Sequence, residues 1–367
     1  MKTKKIIILR LTILFSAILI ILLFIEVSFR IYFKKGFKIP KQLYIKDDVI
    51  GYIHNPNYYA KNKTSEYEYI VSINSNGLQD NEIPFQKNKN EKRFVFLGDS
   101  FTFGTGVNLE QTWHKIFIRL LNDYDKTFKY IGINCGVGGY NTEHEYLFFT
   151  KNGIKYQPDY VVICVLPNDI FHNYKGIKSY YNFALSGLEF SSSFENLPNP
   201  IFHPIKFKRI FISKLKKNLL KYSVFFNYLV IRFSININDK TVQEGNVYKK
   251  DLNDIMIKAW TKTEEIVKDL TEFCNNKNIK LILIGLPQLE VFQNYSTRPD
   301  DYLFFNKQLS QICQKYNIFY LNAFELLKKY KPDDLYFKND RHLSIYGNEC
   351  LGKELFEFFI NIVYGKK

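Results

Sequence analysis

Apolar residues follow two regimes along this chain. From residue 6 to residue 25 every side chain is apolar except Arg10, Thr12 and Ser16. Beyond residue 90 the apolar positions come in short runs, at 93–97, 130–134, 160–165, 280–286 and 318–321, each rich in β-branched or aromatic residues. Helix-like stretches lie among them, at 111–121, 255–274 and 302–316. Short continuous runs alternating with helices predict an α/β domain with a parallel sheet covered on both faces. Such sheets bind ligands beyond the carboxyl ends of their strands.

The first run is long enough to matter by itself. Twenty residues at about 1.5 Å each span the roughly 30 Å hydrocarbon core of a bilayer. A cleaved signal peptide would carry a shorter apolar core followed by small residues. Here residues 26–30 read EVSFR, and no cysteine precedes Cys135, which excludes lipoprotein processing. Residues 1–28 are therefore read as an uncleaved membrane anchor. Lys2, Lys4, Lys5 and Arg10 flank one end, and Arg30, Lys34, Lys35 and Lys38 the other. The positive-inside rule is nearly balanced between them.

Residues 29–90 alternate weakly, as in EYEYIVSIN, and suggest a β-rich stalk or cap, closed by a polar linker at 87–92. The body is expected at 91–367, interrupted by an insertion at 171–250. Within it, residues 205–233 mix Lys and Arg with Phe, Ile and Leu and hold no acid. That composition suits an interfacial helix or a lid, or an ordinary helix pair packed on the body with its lysines in solvent.

Composition narrows the field. With 367 residues, 46% hydrophobic and 24% charged, the chain is a folded protein rather than a disordered one. Its net charge of +15 raises nucleic acid or an anionic membrane as partners. The charge has an address: residues 1–41 carry +8, residues 205–233 another +8, and the remainder −1. A nearly neutral body with basic clusters at the anchor and insertion points to a membrane surface and away from nucleic acid. The five cysteines include no CxxC pair and are expected to be small buried hydrophobes.

Candidate chemistry sits at the strand ends. After the first run comes GDSFTFG, with Ser100 between glycines that permit a tight turn. Ser100 is either exposed at the mouth of the sheet or a plain helix cap. After the second comes NCGVGGYNT, a loop that cradles an anion with backbone N–H groups or serves as a structural turn. After the third comes LPND, where Asn168 can present an amide donor or form an Asx turn. After the fifth comes NDRHLSIYGNE, where Asp340 two residues before His342 can orient and charge-stabilise the imidazole. No Walker or dinucleotide-binding pattern is present, and neither a cofactor nor a metal is implied.

Taken together, the four stretches FVFLGDSFTFGTGV, NCGVGGYNT, VVICVLPND and NDRHLSIYGNE resemble, in order, the four blocks of the SGNH/GDSL hydrolase superfamily. The segment VSINSNGLQDNEIP is similar to the lead-in of its membrane-anchored bacterial members. The resemblance implies a flavodoxin-like three-layer α/β/α fold with a five-stranded parallel sheet. It implies Ser100 as nucleophile, His342 as base and Asp340 as its orienting acid. The oxyanion hole would comprise the N–H groups of Ser100 and Gly139 and the amide of Asn168. Two departures stand out: Phe101 replaces the usual leucine, and D-x-H replaces DxxH. An Asp two residues from a His cannot face it on a helix, so the pair must occupy an extended or turn segment.

The resemblance thus implies a serine esterase on the cytoplasmic (inner) membrane, single-pass, with its catalytic domain outside. Its substrate would be an acyl ester of an envelope glycan or lipid. Two alternatives remain open at this point. One is an O-acyltransferase using the same site, the other a non-catalytic glycan-binding or scaffold protein.

Overall fold

A computed structural model describes residues 2–32, 43–177 and 247–365. The basic stretch 205–233 and most of the expected insertion lie outside the described residues. Of those described, residues 2–32 belong to one compact unit and 43–177 with 247–365 to another.

The first unit's described part is a single helix, α1 (Lys2–Tyr32). Its stretch Leu9–Ser28 is long and apolar enough to cross a membrane, a property that anchors and signal sequences share. Apolar side chains are exposed all around it, Phe24 at 73% among them.

The second unit opens with two antiparallel hairpins, β1 (Tyr44–Asp47) with β2 (Gly51–His54), and β3 (Tyr59–Lys63) with β4 (Glu68–Ser72). The β-rich character expected of this region is present. Burial alternates along β4, as the period-2 sequence pattern requires. Tyr69 and Val71 point inward with Leu43, Tyr58, Ile73 and Phe103.

The central sheet contains β5 (Glu91–Leu97), β6 (Lys129–Asn134), β7 (Tyr160–Val165), β8 (Lys280–Gly285) and β9 (Phe319–Asn322). All pairs are parallel, in the order β6-β5-β7-β8-β9. That is the doubly wound, flavodoxin-like order, with helices on both faces. On one face Phe94 and Phe96 of β5 meet Trp113 and Phe117 of α3 (Trp113–Tyr124) and Phe359 of the helix Ile345–Tyr364. Each such buried aromatic contributes roughly 1.5–3 kcal/mol through the apolar area it removes from water. On the other face, α4 (Thr142–Lys151) and α5 (Pro167–Lys175) pack against the helix Asp254–Asn276.

Two local expectations need correction. An Asx turn was one of two readings of LPND and the insertion was placed from residue 171, yet α5 runs from Pro167 to Lys175. Pro167 suits the first helical turn, where its missing N–H costs nothing. Asp169 closes that turn by accepting from Leu166 N at 2.8 Å. The linker 87–92 overlaps β5, which begins at Glu91. Arg93, fully buried, explains the early start. Its guanidinium pairs with Glu91 and donates to the carbonyls of Pro84, Phe85, Gln86 and Tyr156. The segment before β5 is thereby fastened to the sheet.

All five cysteines are buried and free, as expected. Burial pushes the thiols of Cys274 and Cys313 up to about 12, which keeps them protonated.

Candidate active site

Strand order reverses around β5, whose neighbours β6 and β7 lie on opposite sides. The crevice beyond this switch point is where such a sheet can receive a ligand. Leu97 of β5 is in register with Ile163 of β7. Ser100 follows the end of β5 by three residues, and Asn168 follows the end of β7 by three. Both are half-buried, whereas the residues just before them are buried. Ser100 opens the short helix α2 (Ser100–Phe103), whose cap, Asp99, accepts from Phe101 N at 2.9 Å. The glycine loop after β6 packs directly on α2. A Cβ on Gly136 would lie 2.6 Å from the carbonyl carbon of Thr102, so a side chain is excluded there.

His342 meets Ser100 across this mouth, with Nε2 2.7 Å from Ser100 Oγ. On its other side, Nδ1 is hydrogen-bonded to Asp340 Oδ1. The tautomer that satisfies both carries its proton on Nδ1 and accepts from the serine hydroxyl at Nε2. The local backbone makes the D-x-H spacing work. Arg341 adopts a left-handed conformation, φ 69°, and its N–H donates to Phe337 O at 3.0 Å. His342 O accepts from Phe337 N at 2.8 Å. This tight reversal brings Asp340 and His342 face to face, as no helix could. Ser344 then caps the helix Ile345–Tyr364.

Of the two remaining candidates, Asn168 lies in the first turn of α5. Its Oδ1 accepts from Gln288 Nε2 at 3.3 Å, and Gln288 Oε1 accepts from the Tyr248 hydroxyl at 2.9 Å. Gly139, at φ 78°, follows Gly138, whose carbonyl accepts from the Tyr52 hydroxyl at 3.0 Å. In a trans peptide the next N–H points opposite that carbonyl, so Tyr52 fixes the direction of Gly139 N–H. A Cβ on Gly138 would meet Tyr44 Oη at 2.6 Å and Ser100 Cβ at 3.9 Å. Hairpin residues therefore border the same loop as the serine.

Several neighbours had no signal in the sequence. Tyr67 donates to Asp340 Oδ2 at 2.7 Å. Glu66 accepts from the N–H groups of Asn339 and Asp340, each at 2.9 Å. Gln288 and Tyr52 were equally invisible. The lead-in VSINSNGLQD did carry a hint. Asp80 accepts from Asn134 N at 2.8 Å, and Gln79 O accepts from Asn134 Nδ2 at 3.1 Å, bracing the glycine loop.

Charge is distributed unevenly beneath the mouth. Burial pushes the Asp340 carboxyl up, but hydrogen bonds from His342 and Tyr67 outweigh it and hold the group below its usual value. Deeper, burial raises Asp99 to about 6 and pushes Asp169 and Glu145 well up. Among the described residues, no group of three His, Cys, Asp or Glu side chains is arranged to hold a metal ion.

The chain is similar to a lipase/acylhydrolase from Enterococcus faecalis, at 14% identity over 75% of this chain and 99% of that one, TM-score 0.41. It is similar to an acetylxylan esterase from Geobacillus stearothermophilus, at 15% identity over 73% and 93%, TM-score 0.41. A lipase from a goat rumen metagenome gives 13% over 73% and 97%, TM-score 0.44. No curated protein matches. The sequence model of the GDSL-like Lipase/Acylhydrolase family matches residues 96–350, which takes in Ser100, the glycine loop, Asn168, Asp340 and His342. With most of its length matched and the parallel sheet in place, this chain belongs to the GDSL-like lipase/acylhydrolase family and is an ester-hydrolysing enzyme.

Proposed function

We propose that the protein is a membrane-anchored serine esterase that hydrolyses O-acetyl or other acyl esters of a cell-envelope glycan or lipid. The observation that carries this reading is the hydrogen-bonded series Ser100–His342–Asp340 at the switch point of the sheet. A serine hydroxyl is a weak nucleophile until a base removes its proton. His342 Nε2 takes that proton as Ser100 Oγ attacks the ester carbonyl. Asp340, kept ionised, steadies the imidazolium that results. The tetrahedral oxyanion sits among the N–H groups of Ser100 and Gly139 and the Asn168 amide. Collapse expels the alcohol, which takes the proton back from His342. Water then repeats the sequence on the acyl-enzyme, releases the acid and restores Ser100.

The membrane part of the reading is supported by the apolar length of Leu9–Ser28. It is supported too by the +8 carried in residues 1–41. We place the N-terminus inside and the catalytic unit outside the cytoplasmic membrane. Hydrolysis of p-nitrophenyl acetate by the full chain in detergent tests the chemistry. Ser100→Ala is expected to reduce turnover to background, and equal rates in wild type and variant would contradict the proposal.

A further inference from the structure

We propose that Glu66 and Tyr67, in the turn joining β3 to β4, are positioning residues of the reaction centre. Tyr67 keeps Asp340 ionised and aimed at His342, and Glu66 holds the backbone that carries Asp340. The inference rests on the triad reading above. It extends that reading to a hairpin outside residues 96–350, the part matched by the family.

The D-x-H spacing creates the need. With one residue between them, Asp340 and His342 face each other only because Arg341 reverses the chain at positive φ, which L side chains rarely adopt. Such a conformation persists where its surroundings over-determine it. Glu66 supplies part of that restraint. Its carboxylate accepts from Asn339 N at 2.9 and 3.1 Å and from Asp340 N at 2.9 Å. These are charge-assisted bonds to the two residues just before the reversal.

Tyr67 acts on the side chain. Asp340 Oδ1 faces His342, while Oδ2 receives the Tyr67 hydroxyl at 2.7 Å. Without Tyr67 the half-buried carboxylate would be held on Oδ1 alone, by the ring and the backbone N–H of His342. With a donor on each oxygen it is fixed in plane and favoured in its charged form. The hydroxyl is a dependable donor, since burial and the neighbouring Asp340 push its ionisation well above the ordinary phenol range. The ring is itself wedged, with centroids 4.8 Å from Phe337 and 5.6 Å from Tyr69. Phenylalanine at position 67 would preserve that packing and remove the hydroxyl alone.

The test uses the full chain in detergent with p-nitrophenyl acetate. Tyr67→Phe is expected to lower kcat about tenfold with KM unchanged, the scale of one hydrogen bond to a charged group. The acidic limb of the rate profile is expected to move to higher pH. Asp340 loses a donor that favours its charged form, so it protonates earlier as pH falls. In an Asp340→Asn background, Tyr67→Phe is expected to add little, because both changes remove the same interaction. A wild-type kcat and pH profile in Tyr67→Phe, with Ser100→Ala inactive, would overturn the proposal and leave the triad standing. So would an equal fold loss in the wild-type and Asp340→Asn backgrounds. If Tyr67→Phe fails to fold, Glu66→Ala is measured instead. A fall in kcat at constant KM supports the proposal, and wild-type kcat overturns it. An active Ser100→Ala would remove the triad reading itself, and this inference with it.

Discussion

Ser100 and Asn168 each lie three residues beyond the end of one of two adjacent parallel strands. In the proposed mechanism they take complementary tasks, Ser100 as nucleophile and Asn168 as amide donor. Asn168 has its oxygen engaged by Gln288, and its NH2 group spends one of its two hydrogens on Asp169 Oδ1 at 3.5 Å. Asn168→Ala is expected to lower kcat by roughly 10²–10³ with little change in KM, the range for one oxyanion donor. A rise in KM at constant kcat, from initial rates across substrate concentrations, would mean that Asn168 only binds substrate. The residues legible in the sequence were those with a local signature, a serine after an apolar run or an Asp beside a His. Tyr67 was not legible, because it lies 273 residues from its partner and nothing in EYEYIVSIN separates an outward tyrosine from one aimed at a carboxylate. Gln288, 120 residues from Asn168, was hidden for the same reason.

Helices and strands were easier to read than the segments that join them. The runs at 160–165 and 280–286 became β7 and β8 almost unchanged, because buried parallel strands need continuous β-branched residues. The start of α5 was missed because Pro167 marks a turn and a helix N-terminus equally well. The start of β5 was missed because Lys and Glu are expected in solvent, yet Glu91 is buried as the partner of Arg93. That pair leads to an expectation at this scale. Arg93→Ala leaves the buried Glu91 carboxylate with Asn88 but without its counter-charge, and frees carbonyls at Pro84, Phe85, Gln86 and Tyr156. Breaking a buried pair this way costs about 3–5 kcal/mol. Thermal or denaturant unfolding should show a loss of that size, and a change under about 1 kcal/mol would show that the pair is solvated rather than buried.

At the scale of the molecule, basic charge is concentrated at the ends of α1 and in a stretch of the insertion, while the rest is close to neutral. Esterase chemistry needs no such asymmetry, and the proposed membrane location would account for it. The central claim joins two parts, an activated Ser100 in the catalytic unit and an anchor that holds it at a membrane. One measurement addresses both: fluorophosphonate labelling of fractionated cells that express the full chain, with the modified residue mapped by mass spectrometry. The expected result is a covalent adduct on Ser100, found in the membrane fraction and abolished by His342→Ala, which removes the base within 2.7 Å of the hydroxyl. Labelled protein recovered only in the soluble fraction would contradict the anchor. Absence of label on Ser100 in folded protein would contradict the serine esterase itself.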